Sequence, residues 1–299
     1  MDLEQLRTLA AVVDEGTLDR AAVVLHVSAP AVSQRIKALE AQTGHVLVRR
    51  SVPVTVTEPG RTVLRLARQV LDLRDAARAE LGMTTSQGAP TRSELRLAIN
   101  ADSLATWFRP VLAELGAGEH AMTLRLRYED QDHSRELLRA GEVAAAITAS
   151  DQPAPGCRAV PLGTMIYDPV IAPSLLERHG SHPDLSRLPV VSFDDKDDLH
   201  TEQLHRAGIT IGANGPPEHR VPSSEAYVRA VADGIGWGMV PRLQLPGAPF
   251  AAVDQPLERL EGLDSAVVPL HLQRWSTALP ALDRLEAVLR ARAPRWLAV

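Results

Sequence analysis

The sequence predicts an α/β chain: an N-terminal winged helix-turn-helix plus linker helix, followed by a two-lobed α/β domain. Three observations predict it. Capped helical periodicity fills the first 80 or so residues and is interrupted only by two short extended runs. Beyond a Thr/Ser/Gly/Pro-rich stretch the pattern changes to alternating strands and helices, the order of strands flanked by crossover helices. Charge is also segregated. The whole chain carries −5, yet between Arg20 and Arg68 eight Lys/Arg face only Glu40 and Glu58.

The elements follow in order. Leu3, Leu6, Leu9, Ala10 and Val13 recur at helical spacing until Gly16. Thr17 is placed to cap a second short helix through Ala21, Ala22 and Leu25. Ser28 caps a third with Pro30 in its first turn, where a missing amide donor costs little. That helix turns Val32, Ile36 and Leu39 to the core and closes near Gly44. Extended runs Val46–Arg49 and Val54–Thr57, joined through Ser51-Val52-Pro53, form the wing. From Pro59, the residues Val63, Leu66, Val70, Leu73 and Ala77 step alternately by three and four, a heptad seam that predicts pairing with a second chain.

Domain boundaries follow. Residues 1–58 form the winged unit, 59–82 the dimerising linker helix, 83–93 a hinge and 94–299 the larger domain. Strands are predicted at Leu95–Ile99, Thr123–Tyr128 and Val143–Thr148, with helices at Leu104–Leu115 and Ser134–Ala140. A second set has strands near Pro189–Phe193 and Trp237–Val240 and a helix at Glu225–Ala232. The strand Ala266–Trp275 and helix Ala278–Arg292 return to the first lobe. A largely parallel sheet is expected, with lobe 1 at about 94–164 and 266–299 and lobe 2 at about 165–265.

Composition excludes several classes. With Cys157 as the single cysteine, neither an internal disulfide nor a cysteine-based metal cluster is available. No run approaches the ~18 apolar residues of a membrane span, and the charged, helix-like start carries no secretory core, so a cytoplasmic protein without membrane contact is expected. Catalytic motifs are missing: no nucleophile elbow, Walker loop or HExxH occurs. His200 and His205 lie about 140° apart on a helix and share no zinc face. His179 and His182 fall in a predicted loop. Gly234-Ile235-Gly236-Trp237-Gly238 lacks the strand-before, helix-after setting of a dinucleotide fingerprint. No catalytic residue, metal or cofactor is therefore expected.

A helix-turn-helix lays its second helix in the major groove while the first braces it on the backbone. Small residues Ala21 and Ala22 allow the two helices to approach. Ser28, Ala29, Pro30, Ser33, Gln34 and Lys37 then lie at or near the groove, with Arg35, Arg49 and Arg50 on phosphates. The stretch AAVVLHVSAPAVSQRIKALEAQTGHVLVRR, followed by VTVTEPGRTVL, resembles the N-terminal domain of LysR-type transcriptional regulators. Two positions depart from the pattern: Ala29 replaces a frequently polar residue and Val48 a usual phenylalanine. The later lobes match that family's effector domain, so the resemblance implies a two-lobed, periplasmic-binding-protein-like fold.

Three longer strings, AINADSLATWFRPVLAEL, VVSFDDKDDLH and VPSSEAYVRAVADGIGWGMVP, resemble the subgroup controlling lysine and arginine export, the LysG/ArgP type. That resemblance implies an activator of an exporter gene, with L-lysine or L-arginine as effector, promoter DNA and RNA polymerase as partners, and a homodimer that pairs into a homotetramer. The residues fit such a ligand. A basic amino acid needs carboxylates for its cations and hydroxyls or helix-start amides for its carboxylate. Asn100, Asp102 and Ser103, and likewise Ser223, Ser224 and Glu225, stand at strand-to-helix junctions expected to face a cleft. Thr148, Glu129 and Asp130 complete the expected pocket, with Asp194 and Asp195 from the second lobe. Asp197 and Asp198 read as a solvated face. The serines and Asp102 would equally serve as plain helix caps. The same architecture tuned to another metabolite, and an enzyme domain fused to a DNA-binding domain, stay open as alternatives.

Overall fold

The computed structural model describes residues 1–49, 51–83, 94–118, 122–128, 131–180, 182–209 and 215–298. Helices α1 (Leu3–Glu15), α2 (Leu18–Leu25) and α3 (Ala29–Thr43) open the chain. Asp2, Thr17 and Ser28 each accept a hydrogen bond from the backbone three residues on, satisfying an otherwise orphaned donor. Strands β1 (Val48–Arg49) and β2 (Thr55–Val56) pair antiparallel as a wing, two residues shorter at each strand than the apolar runs suggest. Leu9, Val12, Ala21, Val32, Ile36, Leu39, Leu47 and Leu64 form the core of this unit.

Helix α4 (Glu58–Glu80) follows the wing without a gap. Thr57 caps it, accepting from the Gly60 amide at 3.1 Å while its hydroxyl donates to the Val46 carbonyl at 2.6 Å. The junction requires glycine: a Cβ on Gly60 would stand 1.9 Å from the Leu47 carbonyl oxygen. Leu64, Ala67 and Arg68 are buried against the same chain, whereas Leu66 and Leu73 are 40% and 44% exposed. Ten of the eleven residues expected as a hinge, 84–93, lie outside the described residues.

Next come β3 (Glu94–Ile99), α5 (Ala101–Ala105), α6 (Phe108–Gly116), β4 (Thr123–Tyr128), α7 (Gln131–Ala140) and β5 (Ala145–Thr148). The single helix expected at Leu104–Leu115 is two helices. The break between Ala105 and Phe108 lets the consecutive Trp107 and Phe108 both reach full burial, edge to face at 5.8 Å, which one helix face does not offer to neighbours 100° apart.

Strand β6 (Cys157–Ile171) then runs for 15 residues into a second unit of α8 (Pro173–His179), β7 (Val190–Ser192), α9 (Leu199–Arg206), β8 (Glu218–Arg220), α10 (Ser224–Ala232) and β9 (Gly238–Pro241). Strand β10 (Glu258–Arg259) precedes the return on β11 (Ala266–Trp275), and α11 (Pro280–Arg292) closes the chain over the first unit. The main sheet has the order β10-β6-β11-β5-β3-β4, with β9 also on β6.

The largely parallel sheet is therefore a mixed one. Only β3 with β4 and β5 is parallel there; β6, β9, β10 and β11 make antiparallel pairs, because β6 carries the chain out and β11 brings it back alongside. The lobe boundary expected at 164/165 falls inside β6, which continues unbroken past it. A small parallel pair, β7–β8, serves the second unit. One large core spans Trp107, Phe108, Leu138, Leu272 and Trp275, and a second gathers Val170, Val191, Tyr227, Val228 and Val240. Among the described residues no helix is long and apolar enough to cross a membrane.

Candidate functional site

Two sites emerge, one on α3 and the wing, the other between the two α/β units. On α3, Pro30, Gln34 and Lys37 are exposed and Ser33 is half-buried, all within about a quarter to a third of a turn of one another. Ser28 caps the helix start and Ala29 follows it, half-buried. Arg49 is exposed on the wing, and Arg50 lies outside the described residues. Arg35 departs from expectation. It sits roughly 160° from Lys37 around the helix, and its guanidinium reaches back to Glu4 at 3.2 Å and the Thr8 hydroxyl at 3.5 Å on α1. Its work is to hold α3 on α1 instead of facing a phosphate.

The second site is a cavity of about 650 Å³, within the span typical of small-molecule pockets. The C-terminal ends of β3 and β4 supply Asn100, Asp102 and Tyr128; β6 supplies Tyr167; the segment from β7 into α9 supplies Phe193, Asp194, Lys196, Asp197, Asp198, Leu199 and Glu202. Five lining carboxylates face one lysine, a balance that favours a cationic guest. The chain has only three Phe and three Tyr, and Tyr128, Tyr167 and Phe193 all lie here. Tyr128 and Phe193 stack across the two units at 6.4 Å and 26°.

Asp102 is the centre of the site. Its Oδ2 accepts from the Tyr167 hydroxyl at 2.9 Å and its Oδ1 from the Ser224 hydroxyl at 2.6 Å, so a carboxylate from the first unit is gripped by a hydroxyl from the second. Burial raises its pKa above the usual carboxylate value, partly opposed by these two bonds. Burial, together with the nearby carboxylates of Asp102 and Asp194, pushes the Tyr128 phenol up to about 12. Beside Asp102, the buried Oδ1 of Asn100 and the fully buried hydroxyl of Ser103 find no partner among the described residues.

The structure brings Asn100, Asp102, Asp194 and Ser224 together and leaves other expected residues apart. Thr148 is buried, donating to the Ser150 carbonyl at 3.1 Å, and does not line the cavity. Ser103 stands behind the wall. Asp195 points away and pairs with Arg220. Ser223, just before α10, and Glu225 in its first turn are exposed and do not line the cavity, and Ser223 makes no side-chain cap bond. Glu129 and Asp130 lie outside the described residues.

Asp197, expected on a solvated face, lines the cavity. Its carboxylate accepts from the Phe193 and Leu199 amides at 2.7 and 3.3 Å and so folds that loop over the site. The aromatic residues carried a legible signal, their scarcity, that periodicity alone does not use.

Residues 3–61 match the family model described as bacterial regulatory helix-turn-helix protein, lysR family, and residues 88–290 match the LysR substrate binding domain. The chain is 40% identical over 292 residues to the lysine export transcriptional regulatory protein LysG of Corynebacterium efficiens, covering 96% of both chains. Among solved structures, ArgP from Mycobacterium tuberculosis aligns with TM-score 0.83 and 39% identity over 100% of this chain and 99% of that one. Full-length LysG from Corynebacterium glutamicum with bound effector Arg aligns with TM-score 0.78 and 35% identity over the whole of both chains.

Proposed function

The chain belongs to the LysR family of bacterial helix-turn-helix regulators, and on that premise we propose that it switches an amino-acid exporter gene in response to L-lysine or L-arginine. The carrying observation is the acidic cavity with Asp102 at its centre. The ammonium of a basic amino acid fits this carboxylate, and the side-chain cation fits the Asp194, Asp197, Asp198 and Glu202 end. The unpartnered Oδ1 of Asn100, which lines the cavity, supplies a polar anchor near the backbone end of such a ligand. The names of the relatives, a lysine export regulator and a LysG holding Arg, point to the same ligand class. The relatives are regulators, not enzymes.

In this reading Ser28, Ala29, Pro30, Ser33, Gln34 and Lys37 meet promoter DNA at the groove, and Arg49 and Arg50 meet phosphates. The winged unit at 1–58, the linker at 59–82, the hinge at 83–93 and the effector domain at 94–299 form one protomer. The exposed stripe of Leu66 and Leu73 pairs two chains along α4, and effector domains join two such dimers into a tetramer in the cytoplasm, where the complex meets RNA polymerase. Ligand favours one arrangement of the two units across the cleft, and the population shift moves the DNA-binding pairs on the promoter. Calorimetric titration of the full chain with L-arginine, L-lysine and neutral L-citrulline tests it. Heat with the basic pair and none with citrulline is expected. No heat with either basic amino acid removes the effector assignment.

A further inference from the structure

One face of α4 serves neither the apolar seam nor the core of the winged unit. Glu58, Arg65, Arg68 and Asp72 are spaced by seven, three and four residues, so they form a polar stripe centred about 140° around the helix from the Val63, Leu66, Val70, Leu73 and Ala77 seam. All four bond the effector half of the same chain. Arg139 of α7 pairs with Glu58 at 3.1 Å; Arg65 donates to the Pro155 carbonyl at 3.2 Å; Arg68 donates to the Gly141 carbonyl at 2.6 Å; Arg96 of β3 lies 3.7 Å from Asp72.

Arg68 differs from the others in its burial. It is 2% exposed, and a second guanidinium nitrogen pairs with Asp14 in the last turn of α1, while its buried Nε finds no partner among the described residues. Three parts of the molecule thus converge on one permanently charged group: the helix-turn-helix through Asp14, the linker through Arg68 itself, and the effector half through Gly141. The approach is closed to any side chain at that point. Gly141 has φ +71°, and a Cβ there would stand 2.5 Å from the Arg65 Cα.

The same junction reaches the cavity through a rigid element. Arg96 near the start of β3 touches α4, and the Ala144 amide donates to its carbonyl at 2.9 Å. The C-terminal end of β3 leads directly into Asn100 and then Asp102 in the cavity wall, with Asn100 roughly 13 Å from Arg96 at strand rise.

We propose that the polar stripe of α4 is the docking surface for the chain's own effector half, and that Arg68 is the positioning residue through which cavity occupancy reaches the DNA-binding unit. The second clause rests on the effector-responsive reading above; the docking itself does not.

The test uses the full chain with spin labels at Val24→Cys and Arg109→Cys, both exposed sites, in a Cys157→Ser background. One narrow inter-label distance distribution is expected, and it stays narrow when 10 mM L-arginine is added. Arg68→Ala is expected to broaden it severalfold, and so is Gly141→Ala, which perturbs the junction from the effector side and leaves Arg68 and Asp14 intact. A narrow, parental distribution in folded Arg68→Ala and Gly141→Ala chains overturns the docking role. Coupling is then read as the ratio of affinities, with and without L-arginine, for a duplex selected by the parent chain from a random-sequence library. A parental ratio of about fivefold or more is expected to fall to within about twofold of unity in Gly141→Ala, while calorimetric L-arginine affinity stays within about twofold of parental. An unchanged ratio overturns the coupling role. If the parent binds no L-arginine, the effector assignment fails, whereas the distance measurement still decides the docking.

Discussion

Replacing Asp102 by asparagine separates its cost to the empty protein from its use to a ligand. An ionised carboxylate offers about four acceptor positions, and Tyr167 and Ser224 occupy two of them, leaving room for an incoming ammonium. Asparagine keeps the shape and one acceptor oxygen, so either hydroxyl can still be satisfied, but the charge is gone. A hydrogen bond to a charged group is worth about 1.5–3 kcal/mol. Affinity for L-arginine is therefore expected to fall about 10- to 150-fold at pH 7.5. Stability is expected to move the opposite way. Because burial raises the Asp102 pKa, the ionised form burdens the folded state at neutral pH, and a neutral amide relieves that burden. Calorimetry gives the affinity and thermal unfolding the stability. A folded variant that binds L-arginine within about twofold of the parent would refute the anchoring role.

Further outcomes follow from the same geometry. Arg49→Ala is expected to weaken DNA binding for all sequences and lower the slope of log affinity against log salt by about one, read by fluorescence anisotropy across a salt series. Leu66→Lys with Leu73→Lys places charges on the exposed seam and is expected to shift the sedimenting species from dimer or larger toward monomer, with secondary structure unchanged. Docking of α4 is expected to tighten as pH falls from 7.5 to 5. Asp72 is raised to about 6 by burial; Asp75 and Glu94 add to the rise, while Arg96 and Arg68 oppose it. Undocked, Asp72 returns to the ordinary carboxylate range, so its contribution is complete below about pH 4 and is lost as pH rises through about 6. The inter-label distance distribution measures this, and Asp72→Asn should be flat over the same range.

Much of the fold was legible because local chemistry and periodicity agree. Thr17 and Ser28 announce helix starts and cap them; Val32, Ile36 and Leu39 share a face and are buried. Strand β6 was hidden by Pro161, Gly163 and Pro169, residues that demote a strand unless partners on both sides impose it, as β11 and β9 do here. In the cavity, residues next to strand ends were readable, since Asn100 and Asp102 follow β3 directly. Asp197 was not, because its position depends on loop hydrogen bonds to Phe193 and Leu199 that no spacing encodes. Arg35, read as a phosphate contact, and Arg68, given no role, show a shared blind spot: no local spacing announces a tertiary partner such as Glu4 or Asp14. For Arg68 a polar heptad with Glu58, Arg65 and Asp72 was present in the sequence, in the same helix as the apolar one.

The two stripes on α4 constrain how a signal can pass. A ligand moves an equilibrium only by its difference in affinity for the two states, and a tenfold difference supplies about 1.4 kcal/mol. Undocking α4 forfeits at least the bond from Arg68 to the Gly141 carbonyl, a charged donor worth about 1.5–3 kcal/mol, before the Arg65 bond is counted. One modestly selective effector site therefore falls short of breaking the junction. The junction must instead persist in both states and act as a pivot, carrying a rotation of the first α/β unit into α4 and across the seam to the partner chain. On this argument the label distance shifts with L-arginine but stays narrow. A broad distribution appearing only when L-arginine is bound would mean that the junction opens, and the pivot would have to be abandoned in favour of a latch.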